Sequence, residues 1–182
     1  RGLVGSEMCI RDSNNLVNVN QKNADVIIDL RYASKNNFTN QKLFKSSECF
    51  IHKTAFEYLC KAIDISKKLG FKIKIFDAYR PVYVQKALWD RLPDPNFIAP
   101  PDKGSPHSRG VAIDLTLTQD GEELDMGTDF DEFSRLSYHG NLEISEKAYR
   151  NRLLLLGIMT DSGWDFYRNE WWHYQLFDSI KF

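Results

Sequence analysis

"GSPHSRGVAIDL", residues 104–115, sets one of the chain's four histidines, His107, at the mouth of an apolar run that holds a lone acid, Asp114. A carboxylate among Val111, Ala112, Ile113 and Leu115 is costly to bury unless something positive meets it. The rest of the chain has to supply that partner. Its 182 residues suit one domain with a sizeable core, and 42% hydrophobic and 13% aromatic content reads as a well-packed globule. With 24 basic and 25 acidic residues interspersed, the net charge of −1 makes no electrostatic case for nucleic acid or an anionic membrane surface. No apolar run approaches the roughly 20 residues of a transmembrane helix.

The first residues stand apart. "RGLVGSEMCIRDS" has neither a helical nor a strand period, and Glu7 to Ser13 looks like a translated sequencing adapter. Residues 1–13 are therefore read as a non-native segment and residues 14–182 as a single domain. The cytoplasm is the expected compartment, with the periplasm as the alternative because the native start is open. Cys9 falls in the excluded segment. Cys49 and Cys60 are too few for a disulfide framework and wrongly spaced for a zinc knot, so both are expected as reduced, buried packing residues.

Periodicity supplies a coarse element order. "DVIIDLRYAS" (25–34) begins as a strand and runs into a polar loop. From His52 to Leu69, Ala55, Phe56, Leu59, Cys60 and Ile63 follow a helical period that Gly70 stops. "FKIKIFDAY" (71–79) alternates as a half-buried strand, and "VYVQKALWDRL" reads as a second helix. Residues 93–106 hold five of the six prolines and must be a loop. A strand over 110–117 leads to a "TQDGEE" turn, and 125–141 are irregular. Ser145 can cap a helix to about Asp161, with Leu153, Leu154 and Leu156 to Ile158 expected in its buried half. The aromatic "EWWHYQLF" reads as a last strand. This mixture without βαβ alternation points to an α+β fold, with helices packed on a central, mainly antiparallel sheet.

A catalytic zinc takes three protein ligands from histidine nitrogen and carboxylate oxygen, leaving a fourth position for water. His107, Asp114 and His173 offer that set. On formal charges they reduce +2 to about +1, which preserves the Lewis acidity that activates water. Such a cation also answers the question that Asp114 raises. Glu170, three residues before His173, is the natural general base, and Arg80, at the end of a strand, the natural oxyanion partner. His52 and His139 carry no such signal, and Trp171-Trp172 reads as core.

"S-P-H-S-R-G-V-A-I-D" fits S-x-H-x-x-G-x-A-x-D at every fixed position, and "E-W-W-H" begins 56 residues after Asp114. These motifs, with "DLRYASKNNFT", "FDAYRP", "MGTDFDEFS" and "EWWHYQL" in order, resemble the zinc D,D-peptidases that share the hedgehog-domain fold. The match is closest to the VanX-type D-alanyl-D-alanine dipeptidases and spans about residues 25 to 178. The resemblance implies a hedgehog/D-Ala-D-Ala peptidase-like fold in a bacterial, cell-wall-related enzyme with one Zn²⁺ per chain. It implies zinc on His107, Asp114 and His173, catalysis by Glu170 and Arg80, and substrate contacts from Ser105, Tyr32 and Asp131. Asp129 and Glu132 rival Asp131 for the substrate's ammonium. The expected reaction is hydrolysis of D-Ala-D-Ala or a similar small dipeptide. The alternatives are a D,D-carboxypeptidase acting on peptidoglycan stems, and a non-catalytic hedgehog-like zinc module.

Overall fold

The computed structural model describes residues 15–182; the segment 1–13 lies outside the described residues. A separate two-stranded sheet pairs β1 (Leu16–Val19) antiparallel with β3 (Cys49–His52), strands well apart in the chain. The main sheet runs β2 (Ile27–Ile28), β4 (Lys72–Asp77), β5 (Ala112–Gln119), β8 (His173–Gln175) and β7 (Asp165–Phe166), with β6 (Glu122–Glu123) also on β5. Only the β2–β4 edge is parallel, so the sheet is mainly antiparallel, as the residue pattern implies. Asp120 and Gly121, both at positive φ, make the two-residue turn that joins β5 to β6.

Three helices of at least ten residues complete the described fold: α1 (Lys53–Lys68), α2 (Val82–Arg91) and α3 (Glu146–Asp161). His52 caps α1 by accepting from the Thr54 N–H, and Ser145 caps α3 by accepting from the Ala148 N–H. Ala55, Leu59, Ala62 and Ile63 of α1 join Ile73, Ile75, Ile113, Leu115 and Leu117 of the sheet in one apolar core. Trp171 and Trp172 belong to that core too.

Two expectations need correction. Leu153 of α3 is 50% exposed; the buried stripe is Ala148, Arg152, Leu155, Ile158 and Met159. A leucine run carries no phase of its own, and the helix turns toward the face that Ala148 and Arg152 open. Cys60 is only half-buried, unlike Cys49, although both are free thiols.

Strand β5 shows how an acid sits in an apolar run. Residues alternate across a strand, so Ile113, Leu115 and Leu117 point to one face while Ala112, Asp114 and Thr116 point to the other. A register slip in β4 then matters. Ile75 faces Leu115 but Asp77 faces Asp114, so a bulge at Phe76 shifts the end of β4 by one residue. On the other side Asp114 pairs with His173. Asp77, Asp114 and His173 thus form one row across three strands.

Candidate metal centre and active site

His107 reaches this row from the turn before β5. The turn closes through Gly110 N–H to His107 O and Val111 N–H to Pro106 O. Gly110 has φ +72°, and a Cβ there would lie 2.8 Å from Leu16 and 3.1 Å from the His52 nitrogen. The motif's glycine is therefore demanded both by the turn and by the close approach of the β1–β3 pair. The Arg80 N–H donates to the His107 carbonyl at 3.0 Å, which ties this turn to the end of β4.

Three side-chain atoms converge. His107 Nε2 lies 3.2 Å from Asp114 Oδ1, His173 Nδ1 lies 3.0 Å from the same oxygen, and the two nitrogens are 3.1 Å apart. All three residues are buried, at 8% exposure or less. The outer nitrogen of each ring has its own acceptor: His107 Nδ1 donates to the Ala78 carbonyl at 2.8 Å, and His173 Nε2 to Gln175 Oε1 at 3.1 Å. That sets both tautomers with lone pairs facing inward. Three lone pairs meeting without a proton between them repel, and a cation is what reconciles them. Four ligands at about 2.1 Å around a tetrahedral ion stand roughly 3.4 Å apart, close to this triangle. The residues fit zinc.

Charge counting agrees. Asp77, Asp114, Glu170 and the half-buried Asp131 gather here, and the buried cation among them is Arg80. Arg80 donates to Asp77 Oδ2 from Nε at 2.8 Å and Nη2 at 2.6 Å. Its Nη2 also stands 3.5 Å from Asp114 Oδ2, and Nη1 donates to Gln85 Oε1 at 2.8 Å. Burial, then Asp114 and Asp131, push Glu170 well above the usual carboxylate range, against the pull of Arg80. Asp131 is pushed up by burial and by Asp114. Burial opposes ionisation of Asp114 as well; positive charge on its His107 and His173 side outweighs burial and holds that carboxyl low, and with both rings presenting lone pairs a bound cation is what supplies that charge.

These groups line one cavity of ≈ 340 Å³. The assigned metal, catalytic and substrate residues are all on its wall: Tyr32, Arg80, Ser105, His107, Asp114, Asp131, Glu170 and His173. Glu170 Oε2 lies 3.9 Å from His173 Nδ1, beside the triangle rather than in it. The Tyr32 hydroxyl donates to Asp131 at 3.0–3.1 Å, and its ring lies 5.3 Å from the Arg80 guanidinium carbon. Ser105 Oγ accepts from the His107 N–H, leaving its own proton free to donate. Asp129 and Glu132 line a separate cleft. Asp131 takes the inward place through a positive φ of 63°.

Several supporting residues escaped sequence reading. Gln175 could have been found by its spacing, since i and i+2 share a strand face with His173. Asp77 precedes Arg80 by three, but its place depends on the bulge. Gln85 and Arg152 carry no signal in the residue pattern.

The chain matches the family model described as Peptidase_M15, D-ala-D-ala dipeptidase, over residues 12–180. It is 41% identical over 166 residues to the D-alanyl-D-alanine dipeptidase of Escherichia coli (strain K12), covering 91% of this chain and 86% of that one. It is 33% identical over 172 residues to the D-alanyl-D-alanine dipeptidase of Enterococcus faecium, covering 82% and 85%. The solved structure of VanYB in complex with D-alanine-D-alanine is similar in fold, with TM-score 0.50, 16% identity, and coverage of 75% of this chain and 76% of that one.

Proposed function

The chain belongs to the M15 peptidase family of D-Ala-D-Ala dipeptidases, and on that premise we propose that it hydrolyses D-Ala-D-Ala or a closely related small dipeptide. The observation that carries the reading is the triangle of His107, Asp114 and His173 in the wall of a small cavity, with Glu170 and Arg80 at its side. A cavity of ≈ 340 Å³ is at the low end of the roughly 300–1,000 Å³ typical of small-molecule sites. That suits a dipeptide better than a peptidoglycan stem.

His107, Asp114 and His173 would hold zinc. The metal would supply Lewis acidity, so that water becomes a nucleophile at neutral pH. Glu170, next to the ligands, takes the proton of the attacking water and returns it to the leaving amine. Arg80 is oriented by Asp77 and Gln85 and offers its guanidinium to the oxyanion of the tetrahedral intermediate. Asp131, backed by the Tyr32 hydroxyl, meets the free ammonium, and Ser105 has a proton to give to the substrate. A structural zinc needs neither a general base nor an oxyanion donor, which sets the enzyme reading above the binding-module one.

Residues 14–182 are read as one peptidase domain. No helix among the described residues is long and apolar enough to cross a membrane. We propose the cytoplasm as the compartment, with the periplasm as the alternative.

The test is zinc analysis of the purified protein together with hydrolysis of D-Ala-D-Ala, L-Ala-L-Ala and a D-Ala-D-Ala-ended pentapeptide. Zinc with preferential cleavage of D-Ala-D-Ala supports the reading. Preference for the pentapeptide would make the protein a carboxypeptidase, and zinc without hydrolysis a binding module.

A further inference from the structure

Gln85 lies in α2 and is 1% exposed, a costly place for a primary amide unless both of its ends are satisfied. Both are. Its Oε1 accepts from Arg80 Nη1 at 2.8 Å, and its Nε2 donates to the Ala99 carbonyl at 2.7 Å. One side chain therefore joins two parts of the site that the chain separates. Arg80 is the oxyanion partner. Ala99 belongs to the proline-rich loop of residues 93–106, which forms one wall of the cavity through Phe97, Ile98, Pro100 and Lys103, among others.

The loop has no helix or strand of its own to hold it. Near its start, Asn96 O accepts from the Tyr167 hydroxyl and Asn169 Nδ2, at the exposed rim. Near its end, the His107 carbonyl accepts from the Arg80 N–H. The part-buried Gln85 bond at Ala99 lies between these, in the middle of the loop. Asp77 already neutralises Arg80 from one side. Gln85 adds no charge, but it fixes the direction of the opposite edge of the guanidinium.

We infer that Gln85 is a positioning and specificity-determining residue: it orients Arg80 for the oxyanion and, through Ala99, holds the loop wall that limits substrate length. The inference rests on the dipeptidase reading and assigns the length limit to a particular bond. The two halves of the amide are chemically separable. A carboxylate keeps the acceptor for Arg80 but has no N–H for Ala99, whereas a thioether keeps the volume and loses both.

The experiment measures kcat and KM for D-Ala-D-Ala, and the cleavage ratio of a D-Ala-D-Ala-ended pentapeptide to the dipeptide. It uses the zinc-loaded native protein, Gln85→Met and Gln85→Glu, each checked for folding by circular dichroism. Gln85→Met should lower kcat about tenfold or more with a smaller change in KM, since misplacing a transition-state group costs turnover. It should also raise the pentapeptide ratio about tenfold, because the wall is no longer held. Gln85→Glu should recover most of kcat and keep the raised ratio. That split is one a merely structural glutamine would not produce. A folded Gln85→Met with native kcat and ratio overturns the inference, and so does a Gln85→Glu as slow as Gln85→Met. If Gln85→Met does not fold, the ratio in Gln85→Glu decides: raised supports the inference, native overturns it. A native protein that leaves D-Ala-D-Ala intact overturns the dipeptidase reading instead, and this inference with it.

Discussion

His107 Nε2 and His173 Nδ1 stand 3.1 Å apart with no proton to share, because each ring's other nitrogen already donates, to Ala78 O and to Gln175 Oε1. The pair is poised for a cation rather than for a hydrogen bond. One zinc per chain is therefore expected, and a chelator should lower the melting temperature, since a metal bound only by the folded state stabilises it. Asp114→Ala should lose both the metal and the chelator effect. Gln175→Leu, which frees the His173 ring, should weaken zinc binding about 10–100-fold in a competition titration. Two metals per chain would contradict the site.

Glu170 lies beside the ligand triangle, with Oε2 3.9 Å from His173 Nδ1. Glu170→Ala should keep its zinc by elemental analysis and lose about 10²–10⁴-fold in kcat. Loss of zinc together with the carboxylate would make Glu170 a ligand and remove the general base from the mechanism.

Asp131 faces the cavity while Asp129 and Glu132 face a separate cleft. Asp131→Asn should raise KM for D-Ala-D-Ala, whereas Asp129→Asn should not. N-acetylation of the dipeptide should nearly abolish cleavage by the native protein and matter much less in Asp131→Asn, since the penalty is an unpaired buried charge. Equal cleavage of free and acetylated dipeptide by the native protein would refute the ammonium role.

Arg152 is buried in α3 and donates to three carbonyls: Met126 O at 2.6 Å, Leu136 O at 2.8 Å and Tyr138 O at 3.1 Å. It thereby pins the segment that carries Asp131. Arg152→Met removes the donor from the Met126 and Leu136 carbonyls, whereas Tyr138 O keeps the Asn141 N–H, and should cost about 2–4 kcal/mol in urea unfolding. Arg152→Lys, with fewer donors, should fall between the two. A change below about 0.5 kcal/mol, the range of ordinary surface substitutions, would show that the carbonyls find other partners.

His139 packs against Phe166 and Tyr174, and its Nε2 is buried without a partner. Burial, with Arg152 nearby, lowers its pKa from 6.5 to about 4. The folded state then binds fewer protons than the unfolded state between those values. Stability from this group is complete above about pH 6.5, falls as the pH drops through the window, and levels off near pH 4, a loss on the order of 3 kcal/mol. His139→Phe should flatten this limb relative to the native protein when both are measured with zinc removed. Parallel acid limbs would refute the assignment.

Much of this protein is legible in its residues, because periodicity and caps are local. The helices from His52 and Ser145, the strand around Asp114 and the proline-rich loop all lie near their expected places. The ligand set is legible for another reason: zinc demands particular donor types, and S-x-H-x-x-G-x-A-x-D and E-W-W-H carry them. Long-range partnerships are different. The bulge at Phe76 that sets Asp77 opposite Asp114 is a matter of register between strands almost 40 residues apart, and no residue in β4 announces it. The choice of Asp131 over its two acidic neighbours depends on a left-handed backbone in an irregular segment. The burial of Arg152 instead of Leu153 depends on which carbonyls the neighbouring loop presents to α3. Gln85 bridges Arg80 and Ala99 only because α2 and the following loop fold back together. Local chemistry names the reacting groups, whereas their aim comes from packing among segments far apart in the chain.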